Sequence, residues 1–295
     1  MIRLILILAF VIAFPFMGYA QRKRALMVGI SNYKTNGFKV WTNIHGAEDV
    51  ALLKPELEKK GFKVQTLTNE HATYKGIVKA LNAFIATAQK GDVVYLHFSC
   101  HGQPVEDGLN GRAKDEKDGW DESVVPIDAG MVYSSSYKGE KHMTDDELNG
   151  YISKLRKKIG PKGMVYVVMD ACHAGNMERD GFETIRGTNE GFTKRPKNKY
   201  NPAPVRKRSR IEKSAYLAPV LFVEACESFE RNQEVFFEEK AYGALSLNVW
   251  QTLRGSELFP SSFRDFKLRL SLNVKRNKEK RNRLWPGTQT LVFEE

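Results

Sequence analysis

Asp92-Val-Val-Tyr-Leu-His-Phe-Ser99 runs straight into Cys100-His101-Gly102, and Gly163-Met-Val-Tyr-Val-Val-Met169 runs into Asp170-Ala-Cys172-His-Ala-Gly175. Each run has the length and the β-branched and aromatic content of a strand. Outward from this pair, Ala25–Ile30 is a continuous apolar run, as expected of a strand buried on both faces. Phe62–Leu67 alternates, Ala218–Ala225 reads as a fifth strand and Gln289–Phe293 as a last one. Helical spacing falls between them, over Ala47–Lys60 (stopped by Gly61), Ala72–Gln89, Asp145–Lys157, Ala241–Leu253 and Ser261–Lys280. Thr144 with Glu147 spells a capping box for the third helix. Strands alternating with helices predict an α/β fold whose central sheet is mostly parallel and flanked by helices. The polar stretch from Gln103 to His142 carries no expected regular element.

In such sheets ligands bind beyond the carboxyl ends of the strands. Neighbouring parallel strands would bring His101 and Cys172 to one rim. A thiolate is a strong nucleophile but sparse at neutral pH, so a cysteine hydrolase needs a base beside it. His101 suits that task and can later protonate a leaving amine. Gly102 permits close backbone approach, and its N–H together with that of Cys172 could form an oxyanion hole. Strand-His-Gly followed 71 residues later by strand-Asp-Ala-Cys-His-Ala-Gly is far more specific than a Cys–His pair alone.

At these residues the chain resembles the caspase-like cysteine peptidases, in their metacaspase and bacterial caspase-homologue branch. Further matching pieces are Gly46-Ala-Glu-Asp49, Asp118-Gly-Trp-Asp-Glu-Ser-Val-Val-Pro-Ile-Asp128 and Thr144-Asp-Asp-Glu-Leu148. The likeness runs from about Ala25 to Leu253 and weakens beyond. It implies a caspase-hemoglobinase fold, with His101 as base and Cys172 as nucleophile of an endopeptidase. Metacaspases prefer Arg or Lys before the scissile bond (position P1), through acids in the pocket that receives it. Asp170 and Asp49 match those acids, and two carboxylates below the nucleophile would attract a guanidinium. The bland alternatives are an Asp170 that only caps local amides and an Asp49 that is a solvated first-turn acid. The chemistry needs no cofactor. Asp121, Asp145 and Asp146 match a cluster that binds activating calcium in some metacaspases, although Ala129–His142 lengthens the segment between its parts.

Other uses of the same residues are weaker. Cys100-His101 with Cys172-His173 lacks the spacing of a structural zinc site. His97 and Cys100 are expected in or near the core, His173 along the site and Cys226 near the rim. Three cysteines leave at least one thiol unpaired within a monomer.

Apolar residues make up 42% and charged residues 27% of 295, a globular mixture that excludes wholesale disorder. Residues 21–295 are expected to form the peptidase domain. Arg3, the apolar run Leu4–Met17 and Gly18-Tyr-Ala20 follow the pattern of a signal peptide cut after Ala20. That predicts an exported protein, periplasmic or secreted, with no stable membrane insertion after the cut. The net charge of +11 is concentrated: residues 194–213 hold nine Lys or Arg against Glu212, and 264–283 hold nine against Asp265 and Glu279. Nucleic-acid binding is one reading of such a pattern, and a catalytically silent basic binding module is the alternative function. The first segment, however, contains prolines and lies between the fourth and fifth strands, where caspase-like chains are cut. Lys194, Arg195, Arg206, Lys207, Arg208 and Arg210 would offer an enzyme with protein substrates bearing P1 Arg or Lys its own processing site. The second segment is expected to be a solvated helix face.

Overall fold

A computed structural model describes residues 21–33, 41–172, 184–195, 200–201, 211–279 and 284–295. The expected signal segment, His173, Arg206, Lys207, Arg208 and Arg210 lie outside the described residues. In chain order the elements are β1 (Lys23–Gly29), α1 (Gly46–Lys59), β2 (Phe62–Thr68), α2 (Tyr74–Ala86), β3 (Val93–Ser99), β4 (Gly102–Glu106), β5 (Trp120–Val124) and β6 (Met143–Thr144). They continue as α3 (Asp145–Ile159), β7 (Met164–Asp170), β8 (Val220–Glu224), β9 (Glu234–Phe237), β10 (Lys240–Gly243), α4 (Ala244–Arg254), α5 (Phe263–Glu279) and β11 (Val292–Glu294).

Six strands form one sheet in the order β11-β8-β7-β3-β1-β2, parallel except for β11 against β8. Successive side chains divide between its faces. Leu26, Val28, Leu96, Phe98, Val165 and Val167 enter one core, which holds Ile77 and Leu81 of α2 and Leu148 and Ile152 of α3. Ala25, Met27, Tyr95, Tyr166 and Val168 enter the other, with Leu53 of α1, Leu247 of α4 and Phe266 and Leu270 of α5. This two-sided burial explains why the sheet strands read as apolar runs rather than as alternation. α5 exposes Arg264, Lys275, Arg276 and Lys278, the solvated basic face that was expected. Among the described residues no helix is long and apolar enough to cross a membrane.

Three features depart from expectation. The polar stretch after His101 contains a separate three-stranded antiparallel sheet, β4-β5-β6. The helix expected from Ala241 starts at Ala244, because Lys240–Gly243 pairs with β9 in a hairpin. The capping box of α3 does not close: Thr144 makes no side-chain cap, and Glu147 accepts the Tyr74 hydroxyl at 2.7 Å instead. Tertiary packing against α2 takes the carboxylate away from its local partner.

Two glycines set how closely α1 lies on the sheet. A Cβ on Gly29 of β1 would fall 2.2 Å from the Gly46 carbonyl oxygen, and one on Gly46 would fall 2.2 Å from that of Ser99. At the start of α2, Thr73 accepts the Gly76 N–H at 3.0 Å, a genuine cap. Thr73→Ala is expected to lower the unfolding free energy by about 1 kcal/mol, read from the denaturant midpoint at unchanged slope. An unmoved midpoint would contradict the cap.

Candidate active site

β3 and β7 are adjacent and in register, with Ser99 opposite Asp170. His101 and Cys172 each follow two residues later, so both lie on one rim as the sequence predicted. Tyr33 and Trp41 flank the His101 ring, with centroids 4.8 and 5.0 Å away. Its Nε2–H donates to the Thr42 carbonyl at 2.8 Å, and its backbone N–H donates to the Tyr33 hydroxyl at 2.9 Å. Nδ1 is buried with no hydrogen-bond partner. Burial pushes the imidazole down to about 4, so the ring is neutral at physiological pH with a lone pair on Nδ1. The Cys172 thiol donates to the Glu230 carbonyl at 2.8 Å and is buried beside Cys226. The hydrogen bond to Cys172, then burial, raises the Cys226 thiol well above its ordinary value.

Ser99 and Asp170 share a sheet face with Tyr95, His97, Tyr166 and Val168, the face covered by α1 and α4. Asp49 enters from α1, and both carboxyl groups are completely buried. Asp49 accepts the Ser99 hydroxyl at 2.7 Å and the Gly243 N–H at 3.0 Å. Asp170 accepts the Asn232 amide at 2.7 Å and, from Ser246, the N–H at 2.8 Å and the hydroxyl at 2.6 Å. Ser246 in turn meets His97 Nε2 at 3.1 Å, and His97 Nδ1 meets the Tyr95 hydroxyl at 3.2 Å. The solvated-acid reading of Asp49 is therefore wrong. The amide-capping reading of Asp170 is right as far as it goes, since Asp170 does satisfy the first turn of α4.

Sequence reasoning missed a third acid, Glu234, at the start of β9. It accepts the His45 N–H at 2.7 Å and meets His45 Nδ1 at 2.6 Å. It also missed what fills the space between the acids. The guanidinium of Arg186, itself fully buried, lies with Nη1 2.7 Å from Asp49 and 3.7 Å from Asp170, and with Nη2 2.7 Å from Glu234. Nη1 also donates to the Ser99 hydroxyl at 2.5 Å, and Nε to Glu234 at 3.1 Å. Burial opposes the charge on Arg186, but Asp49, Asp170 and Glu234 outweigh it and hold the group protonated. Burial pushes Asp49 up to about 7 against the pull of Arg186. Glu234 is held below its ordinary value, because Arg186 and His45 overcome its burial. No signal in the sequence marks Arg186, since the four partners come from segments scattered between residues 49 and 234.

The two N–H groups expected to form an oxyanion hole do converge. That of Cys172 donates to the Arg186 carbonyl at 3.0 Å and that of Gly102 to the same oxygen at 3.4 Å. Arg195 of the expected processing segment ion-pairs with Glu106 on β4. Lys194 precedes it, exposed and two residues past the buried Phe192.

Residues 22–287 match the family model for the caspase domain. The chain belongs to the caspase-domain family. Similar curated proteins include Metacaspase-1A of Neurospora crassa (27% identical over 56% of this chain and 34% of its own length). Metacaspase-4 of Arabidopsis thaliana is 26% identical over 55% of this chain and 36% of its own. The chain thus spans about a third of these metacaspases. A solved Geobacter sulfurreducens protein superposes over 92% of both chains at a TM-score of 0.61 and 20% identity. The Drosophila initiator caspase Dronc superposes over 92% of this chain and 79% of its own at a TM-score of 0.50 and 12% identity. These two likenesses show the caspase fold, in agreement with the mostly parallel sheet.

The acids matched to a calcium site are partly gathered. Asp121 is buried on β5, and burial first, then Asp145, Asp107 and Asp146, pushes it up to about 7. Among the described residues, however, no group of three His, Cys, Asp or Glu side chains has metal-holding geometry, for calcium or for zinc.

Proposed function

We propose that the protein is an exported cysteine endopeptidase that cleaves after Arg or Lys and processes itself. The observation that carries this reading is the acidic pocket under the rim of His101 and Cys172, whose size and charge fit a guanidinium. A P1 Arg entering it would meet Asp49, Asp170 and Glu234 as Arg186 does. Its carbonyl would point between the Gly102 and Cys172 N–H groups, where negative charge develops during acyl transfer. The Thr42 carbonyl holds Nε2–H of His101, which leaves Nδ1 to take the thiol proton and return it to the leaving amine. Export rests on the leader pattern of residues 1–20, and self-processing on the clustered Lys and Arg between β7 and β8.

Turnover of matched peptides with Arg, Lys or Asp at P1 tests the specificity. Arg and Lys peptides are expected to be cleaved, with Arg preferred because its two-pronged head engages Asp49 and Glu234 together. A preference for Asp would refute the acidic-pocket reading.

We further propose that calcium acts on the enzyme by relieving the repulsion around Asp121 from Asp145, Asp107 and Asp146. Asp121 titrates at about 7 in the fold against 3.8 ordinarily, so its stabilising contribution is complete below about 3.8 and lost as pH rises through 7. Asp121→Asn is therefore expected to melt progressively higher than wild type between pH 4 and pH 8. An equal difference at both pH values would contradict the repulsion. Calcium that raises the melting temperature of wild type but not of Asp121→Asn would support a cation there, and no rise in either would remove calcium from the proposal.

A further inference from the structure

Cys172 is not the only thiol at the rim. β7 and β8 pair in parallel with Met169 opposite Glu224, and the Ala225 N–H extends the ladder to the Met169 carbonyl at 3.1 Å. Carried past the strand ends, this register sets Cys172 and Cys226 one residue out of step. Their buried side chains meet in a small cluster of their own. Both thiols face one acceptor, the Glu230 carbonyl oxygen, at 2.8 Å from Cys172 Sγ and 3.7 Å from Cys226 Sγ. That carbonyl belongs to a tied turn. The Glu230 N–H donates to the Glu227 carbonyl at 2.9 Å. Its carboxylate accepts the Glu227 N–H at 3.1 Å, the Thr290 N–H at 2.8 Å and the Thr290 hydroxyl at 2.7 Å. The third cysteine, Cys100, is buried apart from them, in the core that α2 and α3 cover.

Resting on the peptidase reading above, we propose that Cys172 and Cys226 form a dithiol modification site, which peroxides oxidise to a disulfide that silences the enzyme reversibly. A disulfide needs Cα atoms about 4.4–6.8 Å apart. Adjacent strands lie about 4.8 Å apart and rise about 3.3 Å per residue, so a pair one residue out of step falls about 6 Å apart. Thiols that already share an acceptor need only turn about Cα–Cβ to bond. Once bonded, the Cys172 sulfur has no proton to give His101 and cannot attack a carbonyl. It is also shielded from the irreversible steps of oxidation. The two thiols differ in a way that sets the order of events. His101 is placed to take the Cys172 proton, whereas the hydrogen bond to Cys172, then burial, keeps Cys226 protonated. Peroxide therefore reacts first at Cys172, and Cys226 resolves the product. Export, as proposed, would carry the pair to a compartment where disulfides persist.

The chemistry balances with one molecule of hydrogen peroxide as oxidant. His101 Nδ1 takes the Cys172 proton, and Sγ attacks one peroxide oxygen. The S–O bond forms as the O–O bond breaks, and the departing hydroxide takes the proton from His101 and leaves as water. Cys226 Sγ then attacks the Cys172 sulfur. The S–S bond forms as the S–O bond breaks, and this second hydroxide takes the Cys226 proton. Two thiols have given up two electrons, and the peroxide has become two waters. A dithiol such as dithiothreitol reverses the change by thiol–disulfide exchange.

The experiment exposes the reduced full chain to hydrogen peroxide. Its thiols are counted under denaturing conditions while its turnover of a fluorogenic P1 Arg peptide is followed. The count is expected to fall from three to one, with a peptide map joining Cys172 to Cys226. Turnover should fall at least about tenfold at the same rate, because the nucleophile is consumed. Dithiothreitol should restore both. Cys100→Ala should be silenced and restored like wild type. Cys226→Ala should match reduced wild type in turnover but lack protection. Prolonged peroxide should carry its Cys172 to the sulfinic acid, which dithiothreitol does not reverse. Cys226→Ser serves the same purpose if the alanine variant fails to fold. Thiols untouched by peroxide, or Cys172 oxidised in wild type without a bond to Cys226, would overturn the proposal. So would recovery of Cys226→Ala as complete as that of wild type. None of these results touches the peptidase reading. No turnover of Arg or Lys peptides by the reduced chain would sink that reading, while the thiol count and peptide map still decide whether the two cysteines pair.

Discussion

Cys172→Ala is expected to lower kcat/KM on a P1 Arg peptide by at least about a thousandfold, and His101→Ala by a comparable factor. In the proposed dyad the two residues act on one proton and one bond, so the double variant should be no slower than the slower single one. Independent roles would instead multiply the losses. His101 stands on a backbone carbonyl rather than on a carboxylate: Nε2–H donates to Thr42 and the nearest pocket acid serves a different task. No carboxylate is therefore expected to share in the proton transfer. Equal turnover by wild type and Cys172→Ala would end the dyad assignment.

Removing a pocket acid is the second large effect. Asp170→Asn or Glu234→Gln leaves a P1 guanidinium buried with less counter-charge, and breaking a buried pair costs about 3–5 kcal/mol. That corresponds to a loss of about two to four orders of magnitude in kcat/KM for P1 Arg. The two substitutions should differ in kind. Glu234 contacts two guanidinium nitrogens and His45, so its loss should narrow the preference of Arg over Lys. Asp170 also holds Ser246 and Asn232, so its loss should lower the melting temperature as well. A variant that kept the full Arg rate would show that the pocket is not where P1 binds.

Much of this was legible in the chain. Continuous apolar runs marked the sheet strands because both sheet faces are covered, and a motif at each of two strand ends marked His101 and Cys172. Asp49 and Asp170 came from resemblance, since spacing alone could not tell a pocket acid from a capping one. The small sheet of β4–β6 was hidden because it is short, polar and held by contacts across the chain. Glu234 and Arg186 were invisible for a stronger reason. A charge completely buried is paid for by partners from distant segments, and no local pattern records that debt.

The glycine contact between β1 and α1 has a consequence for how specificity can drift. Asp49 stands one helical turn from Gly46, so the distance from α1 to the sheet sets how deep the carboxylate reaches. A methyl group at Gly29 or Gly46 would lift the helix and withdraw the acid without touching a charge. The reach of the proposed substrate pocket is thus adjustable from outside it, by residues that do not line it. Lineages could shift between the longer guanidinium and the shorter ammonium by respacing two layers, with the catalytic rim left as it is.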